Sequence, residues 1–192
     1  MIIGPLEKGR RRIRVWQDEL PCTFASSEVL KQKISSTKRG SSGPAISIAV
    51  EMFLFTSPRF QYGLLGASFR PEESDDLLVS IAIMEAKGQP FRESIGWKRD
   101  NCYWGLPTEY AGAVLKAVTS CKPLTGAGKL DFHCAAHAEI SSNQVIFACL
   151  GQILMTAFEQ QLTADSIADV AFRQSLEESA ALLRHGKSGA ET

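Results

Sequence analysis

The stretch from Gly105 to Phe158 constrains the fold more than any other part of the chain. It opens on Gly105-Leu106-Pro107-Thr108-Glu109-Tyr110, and Tyr110, Ala111, Val114, Leu115 and Val118 then recur at helical spacing. Pro107 suits the first turn of that helix, where its missing N–H costs nothing. Pro123 and Gly126 end it. Gly128 to Glu139 reads as a strand, with Leu130, Phe132, Cys134 and Ala136 on one side and Asp131, His133, Ala135, His137 and Glu139 on the other. Ser141-Ser142-Asn143-Gln144 offers a capping box for a second helix, whose buried face is Val145, Ile146, Cys149, Leu150, Ile153, Leu154 and Phe158. A helix–strand–helix unit of this kind needs a sheet to cover.

The sheet is expected upstream. Ile46 to Phe55 is rich in strand formers between Pro44 and Pro58. Tyr62 to Arg70 is a second strand closed by Pro71, and Leu77 to Met84 a third, nearly all apolar. Short connections predict antiparallel pairing. The expected architecture is therefore an α+β two-layer sandwich, an antiparallel sheet of about four strands covered on one face by helices. The expected division is a basic N-terminal extension over 1–43, the α+β domain over 44–162, and a C-terminal helix and tail over 163–192. Within the extension, Arg10 to Trp16 has the alternation of an edge strand, Ser27 to Ile34 suits two helical turns, and 35–44 has the composition of a connector. Thr163 or Asp165 would cap the last helix. Residues 85–104 read as an irregular loop whose aromatics fold onto the sheet.

Charge separates the ends of the chain. Basic and acidic residues balance at 21 each, but 1–43 carries nine Lys and Arg against four Asp and Glu, and 157–192 carries three against six. The five cysteines form no C-x-x-C pair and sit among apolar residues, which suits reduced, buried thiols in a cytoplasm. The N-terminus lacks a signal-peptide run, and no window is long enough to span a bilayer.

The motif order resembles domain IV of elongation factor G and its ribosome-protection relatives. Gly105-Leu106-Pro107-Thr108-Glu109-Tyr110 is similar to the family's G-x-P-x-E-Y helix start. Gly126-Ala127-Gly128, then His137-Ala138-Glu139-Ile140-Ser141-Ser142, then Phe147 follow in the family's order. The resemblance covers about 46–158. It departs at Ile140, where the family has an acidic residue, and at Ala136, where it has Tyr. No G-x-x-x-x-G-K-[ST] loop is present, so no GTPase accompanies the module. The resemblance implies a left-handed β-α-β arrangement and a tip, marked by His137, that approaches RNA or the ribosome.

Several residues invite chemical readings. His137 would contact phosphate or ribose, and Arg10, Arg11, Arg12 and Arg14, with Lys98 and Arg99, are the candidate RNA or partner contacts. Against this stand a hydrogen-bonded surface histidine and a solvated terminus. Asp131, His133, His137 and Glu139 would share one side of a strand, but neighbours roughly 6.5–7 Å apart cannot all reach one ion. Ser141 and Ser142 lack a G-x-S-x-G context and read as caps. The expectation is thus no catalytic residue, no metal and no cofactor. The leading reading is a cytoplasmic, non-enzymatic module meeting the ribosome or structured RNA, without a membrane. The alternatives are a protein-interaction or homodimerisation domain acting through 163–185, and a small-molecule enzyme with a pocket under the 85–104 loop.

Overall fold

The computed structural model describes residues 1–8, 11–35, 42–56, 59–85, 87–121, 126–163 and 165–174. Its strands are β1 (Ile2–Lys8), β2 (Arg11–Gln17), β3 (Glu28–Ser35), β4 (Ile46–Thr56), β5 (Arg59–Pro71), β6 (Asp76–Ile83), β7 (Cys102–Trp104) and β8 (Gly128–Ala138). The helices are α1 (Thr108–Ser120), α2 (Gln144–Gln160) and α3 over residues 165–174.

The chain is α+β, but the expected sheet of about four antiparallel strands covered on one face is overturned. Eight strands form one mixed sheet in the order β1-β2-β4-β5-β8-β6-β3, with β7 also on β8. β6 and β8 run parallel, which the α1 crossover between them permits; the other pairings are antiparallel. The additional strands come largely from residues 2–35. Ser27–Ile34, expected as helical turns, instead gives β3, which pairs with β6 along its full length. Leu30 and Ile34 fit a helical stripe as well as a strand, and the open edge of β6 decides between them.

Helices cover one face. α1 packs on α2, α2 on β5, and α1 on β6. The close approach of α2 explains Gly63, where an added Cβ would lie 2.9 Å from Leu150 Cδ1. Asn143, rather than either serine, is the N-cap of α2, its side chain accepting from Ile146 N at 3.0 Å. Val145, expected inside, is 40% exposed, whereas Phe147 is fully buried. α3 adds Ile167, Ala168, Ala171 and Phe172 to the same core. Thr163 caps it, its carbonyl accepting from Ile167 N at 2.9 Å. The rest of the 163–185 segment expected to meet a partner lies at 164 and 175–185, outside the described residues.

The opposite face carries a second core. Trp16, Phe53, Tyr62, Leu64, Phe91, Cys102, Cys134 and Ala136 are buried there beneath the 87–101 loop and the 18–27 segment. The loop does fold its aromatics inward: Phe91 stacks on Trp104 with centroids 3.9 Å apart.

One irregularity sorts β8 between these faces. Gly66 pairs with Cys134 and Ala67 with Phe132, so His133 is an extra residue in a bulge. Past it the alternation is shifted by one. Leu130 and Phe132 join the helix-side core, while Cys134 and Ala136 join the loop-side core. The expected shared side for Leu130, Phe132, Cys134 and Ala136 therefore fails. So does the shared side for Asp131, His133 and His137.

Candidate functional site

The residues of the 105–110 and 137–147 motifs meet at one end of the sheet, where β8 finishes and both α1 and α2 begin, while Gly126 to Gly128 lie at the other end, where β8 starts. Tyr110 stacks on Phe147, centroids 4.8 Å apart and planes 12° apart. Its hydroxyl donates to Ser142 O at 3.3 Å. His137 lies beside it, 6.2 Å between centroids, and its Nδ1 is 3.1 Å from Gly105 O. The carbonyl can only accept, so Nδ1 carries the proton and Nε2 is left as an acceptor. Burial lowers the His137 pKa, which keeps the ring neutral at physiological pH. The imidazole is thus suited to accept from a hydroxyl rather than to pair with phosphate.

The two serines hold this knot together. Ser142 Oγ donates to Tyr62 O at 2.8 Å and accepts from Ala138 N at 2.7 Å, joining β8 to β5. Asp100 Oδ2 accepts from Ile140 N, Ser141 N and Ser141 Oγ at 2.9, 2.7 and 2.8 Å. One carboxylate thereby clamps the 95–101 loop to the 139–143 turn. Lys98 and Arg99 sit on that loop, exposed, and the Arg99 guanidinium lies 5.8 Å from the Phe60 ring. Between the clamped backbone amides, the Ile140 side chain is 87% exposed. Glu85 completes this end by accepting from Thr108 N at 2.8 Å. It caps α1, whose own N-cap, Pro107, makes no side-chain bond. Hydrogen bonding to Thr108, through its side chain first and its backbone N–H second, lowers the Glu85 carboxyl.

The other candidates are dispersed. Arg11, Arg12 and Arg14 belong to β2, not to an unpaired arm, and register places Arg11 opposite Leu54, near the β4–β5 connection. Arg12 pairs with Glu7 at 2.7 Å. Arg14 lies on the loop face. Its side chain is 18% exposed, donates to Glu93 O at 3.2 Å, and stands 3.5 Å from Glu51 Oε2. Arg10 lies outside the described residues. Lys98 and Arg99 are therefore grouped with the His137 end, while Arg14 is not. His137 itself projects to the helix side of β8 and the 95–101 loop covers the other.

Glu51 stands out on the loop face. It is fully buried, and Oε1 accepts from Tyr62 OH at 2.9 Å and Ile95 N at 3.0 Å. Oε2 has no hydrogen-bond partner and only the long approach of Arg14. Burial raises the Glu51 carboxyl despite Arg14, and burial likewise raises the Tyr62 phenol well above its usual value. Ser94 accepts from Gly96 N and donates to Cys102 Sγ at 3.1 Å, bracing the loop above. Beside this network opens a cleft of about 710 Å³ walled by Arg14, Trp16, Leu20, Phe91, Arg92 and Trp104.

Asp100, Glu85 and Glu51 were not singled out from the sequence. Glu51 had a signal, a lone charge in an apolar strand; Asp100 and Glu85 act on backbone far away in the chain and had none. Among the described residues no group of three or more His, Cys, Asp or Glu is placed to hold a metal ion, and no helix is long and apolar enough to cross a membrane. Comparison with protein-family models and with curated proteins gives no match to this chain.

Proposed function

We propose that this chain is a cytoplasmic binding module, resembling domain IV of elongation factor G, that meets structured RNA or a ribosomal surface through the end where α1 and α2 begin. One observation carries the reading. Most of the residues that carry the resemblance meet at that end: Gly105, Tyr110, His137, Ser142 and Phe147 are in contact, Ser141 follows in the chain and is held by Asp100, and Gly126 to Gly128 lie at the far end of β8. Beside it the Asp100 clamp presents two exposed cations and an aromatic ring. This combination suits phosphate and base contacts, and neutral His137 suits a ribose hydroxyl. Thiols buried or half-buried among apolar side chains suit a reducing, cytoplasmic setting.

Co-sedimentation with ribosomes at low salt tests this. Binding is expected, and Lys98→Glu with Arg99→Glu should weaken it. Each lost phosphate contact should reduce the slope of log affinity against log salt by about 1. Folding stability should move by no more than about 0.5 kcal/mol, since both side chains are exposed. Absence of any association at low salt refutes the reading. The cleft of about 710 Å³ favours one second reading, a small-molecule site on the loop face. It predicts ligand-dependent quenching of Trp16 and Trp104 fluorescence that the Lys98 and Arg99 reversals leave unchanged.

A further inference from the structure

Cys22 and Cys134 are 112 residues apart in the chain, yet their Sγ atoms lie 4.0 Å apart on the loop face. Cys134 is buried in β8, just past the bulge, and Cys22 is half-buried in the segment between β2 and β3. That segment is tied at its ends, by Asp18 N to Ser47 O and by Ser27 N to Ile83 O. Among the described residues no backbone–backbone hydrogen bond involves 19–26. A disulfide requires the two sulfurs to close to about 2.05 Å. The segment holding Cys22, packed through Leu20, Cys22 and Phe24 but without a backbone ladder, can supply that displacement more readily than the central strand holding Cys134. The other thiols are placed differently. Cys102 accepts from Ser94 and faces Asp100 O, and Cys121 and Cys149 belong to the ends and faces of α1 and α2 on the opposite side.

We propose that Cys22 and Cys134 form a reversible disulfide, a modification site that fastens the 19–26 segment to β8 and fixes the Leu20–Pro21 wall of the cleft. With a low-molecular-weight disulfide as oxidant, the Cys22 thiolate attacks one sulfur of the reagent and releases one thiol. The Cys134 thiolate then attacks Cys22 Sγ in the mixed disulfide and releases the second thiol. Two protein S–H bonds are oxidised to one S–S bond, the reagent is reduced to two thiols, and the two protons leave on them. The hydrogen bond between the thiols, and then burial, push the Cys22 thiol up. Reaction should therefore be slow at neutral pH and faster as pH rises.

The test uses the reduced full-length chain, incubated natively with glutathione disulfide at mildly alkaline pH, then alkylated and analysed by intact mass and peptide mapping. The expected product has lost two hydrogens, contains one Cys22–Cys134 linked peptide, melts at a higher temperature, and reverts with dithiothreitol. Cys22→Ser should abolish the link; this position lies outside regular structure, so the fold is retained. Cys102→Ser should leave the link intact. A persistent Cys22–glutathione adduct, linkage of any other pair, linkage only in denaturant, or no reaction would each overturn the proposal.

Discussion

The two faces of the sheet both carry an apolar core, the helix side the larger, and the two are built by different means. The helix face is apolar throughout. Ile13, Val50, Leu65, Phe132, Phe147, Leu150 and Ile153 pack there with little but hydrocarbon between them. The loop face mixes tryptophans and phenylalanines with a buried carboxylate, a buried phenol and three thiols, under a cover of irregular chain. Helices bring their backbone hydrogen bonds with them, so they can cover a sheet without polar partners. A loop cannot, and Glu51, Ser94 and Asp100 supply acceptors to the N–H groups of Ile95, Gly96, Ile140 and Ser141. The lesson is that polar residues here mark where irregular backbone had to be fastened, and that the fastened loops carry the exposed cations.

Substitutions can break or sharpen this contrast. The largest effect is expected at Phe147, fully buried between α2, α1 and the sheet, where Phe147→Ala should cost about 3–5 kcal/mol in denaturant unfolding. Phe91→Ala, beside the open cleft, should cost about half as much, because water and neighbouring side chains can fill the space left. Equal losses would erase the distinction between a sealed and a vented core.

Glu51 comes next. Glu51→Ala leaves Tyr62 OH and Ile95 N without this acceptor, removes the carboxylate facing Arg14, and should cost about 1–3 kcal/mol. Its pH dependence has a definite direction. Burial raises the folded-state pKa above the unfolded value near 4.5, so the folded chain holds the proton more tightly. The stability this provides is complete below the unfolded value and is lost as pH rises through the folded one. Glu51→Gln keeps an acceptor and removes the charge, so thermal melts of that variant should show a shallower decline across this window. An unchanged decline would assign the pH dependence to other groups.

A smaller effect is expected at Glu85. Glu85→Ala removes the acceptor that caps α1 at Thr108 N and should cost about 1 kcal/mol, read as a lower denaturation midpoint. The same substitution should loosen the junction between α1 and β8 without reaching the loop-side core, so Trp fluorescence of the native state should stay unchanged.

Much of the helix face was legible from spacing alone, because helical periodicity is a local property. Tyr110, Val114 and Val118 announce α1, and Ile146, Leu150 and Leu154 announce α2. The start of α2 was legible too, although Asn143 and not a serine supplies the cap. The loop face was much less so. The bulge at His133 depends on how β8 meets Gly66 in β5, and no periodicity within β8 contains it. It moved Cys134 and Ala136 to the other face and brought Cys134 to Cys22. The N-terminal strands were obscured for a related reason: β3 is an edge strand with only Leu30 and Ile34 partly buried, so its pattern is set by β6. The arginines of β2 read as a phosphate-seeking cluster, yet Arg12 answers Glu7 and Arg14 stands against Glu51. Asp100 could not be found from sequence, since its three donors lie 40 and 41 positions away.

We propose that the chain meets RNA or a ribosomal surface with the clamped end of the sheet rather than with its helix-covered flank. Hydrogen exchange of the full-length protein, with and without ribosomes at low salt, tests it most directly. The account predicts added protection at 95–101 and 139–143, with the exposed side of α1 around Gly112 and Lys116 unchanged. Protection confined to that helical surface, or none at either loop, would contradict it.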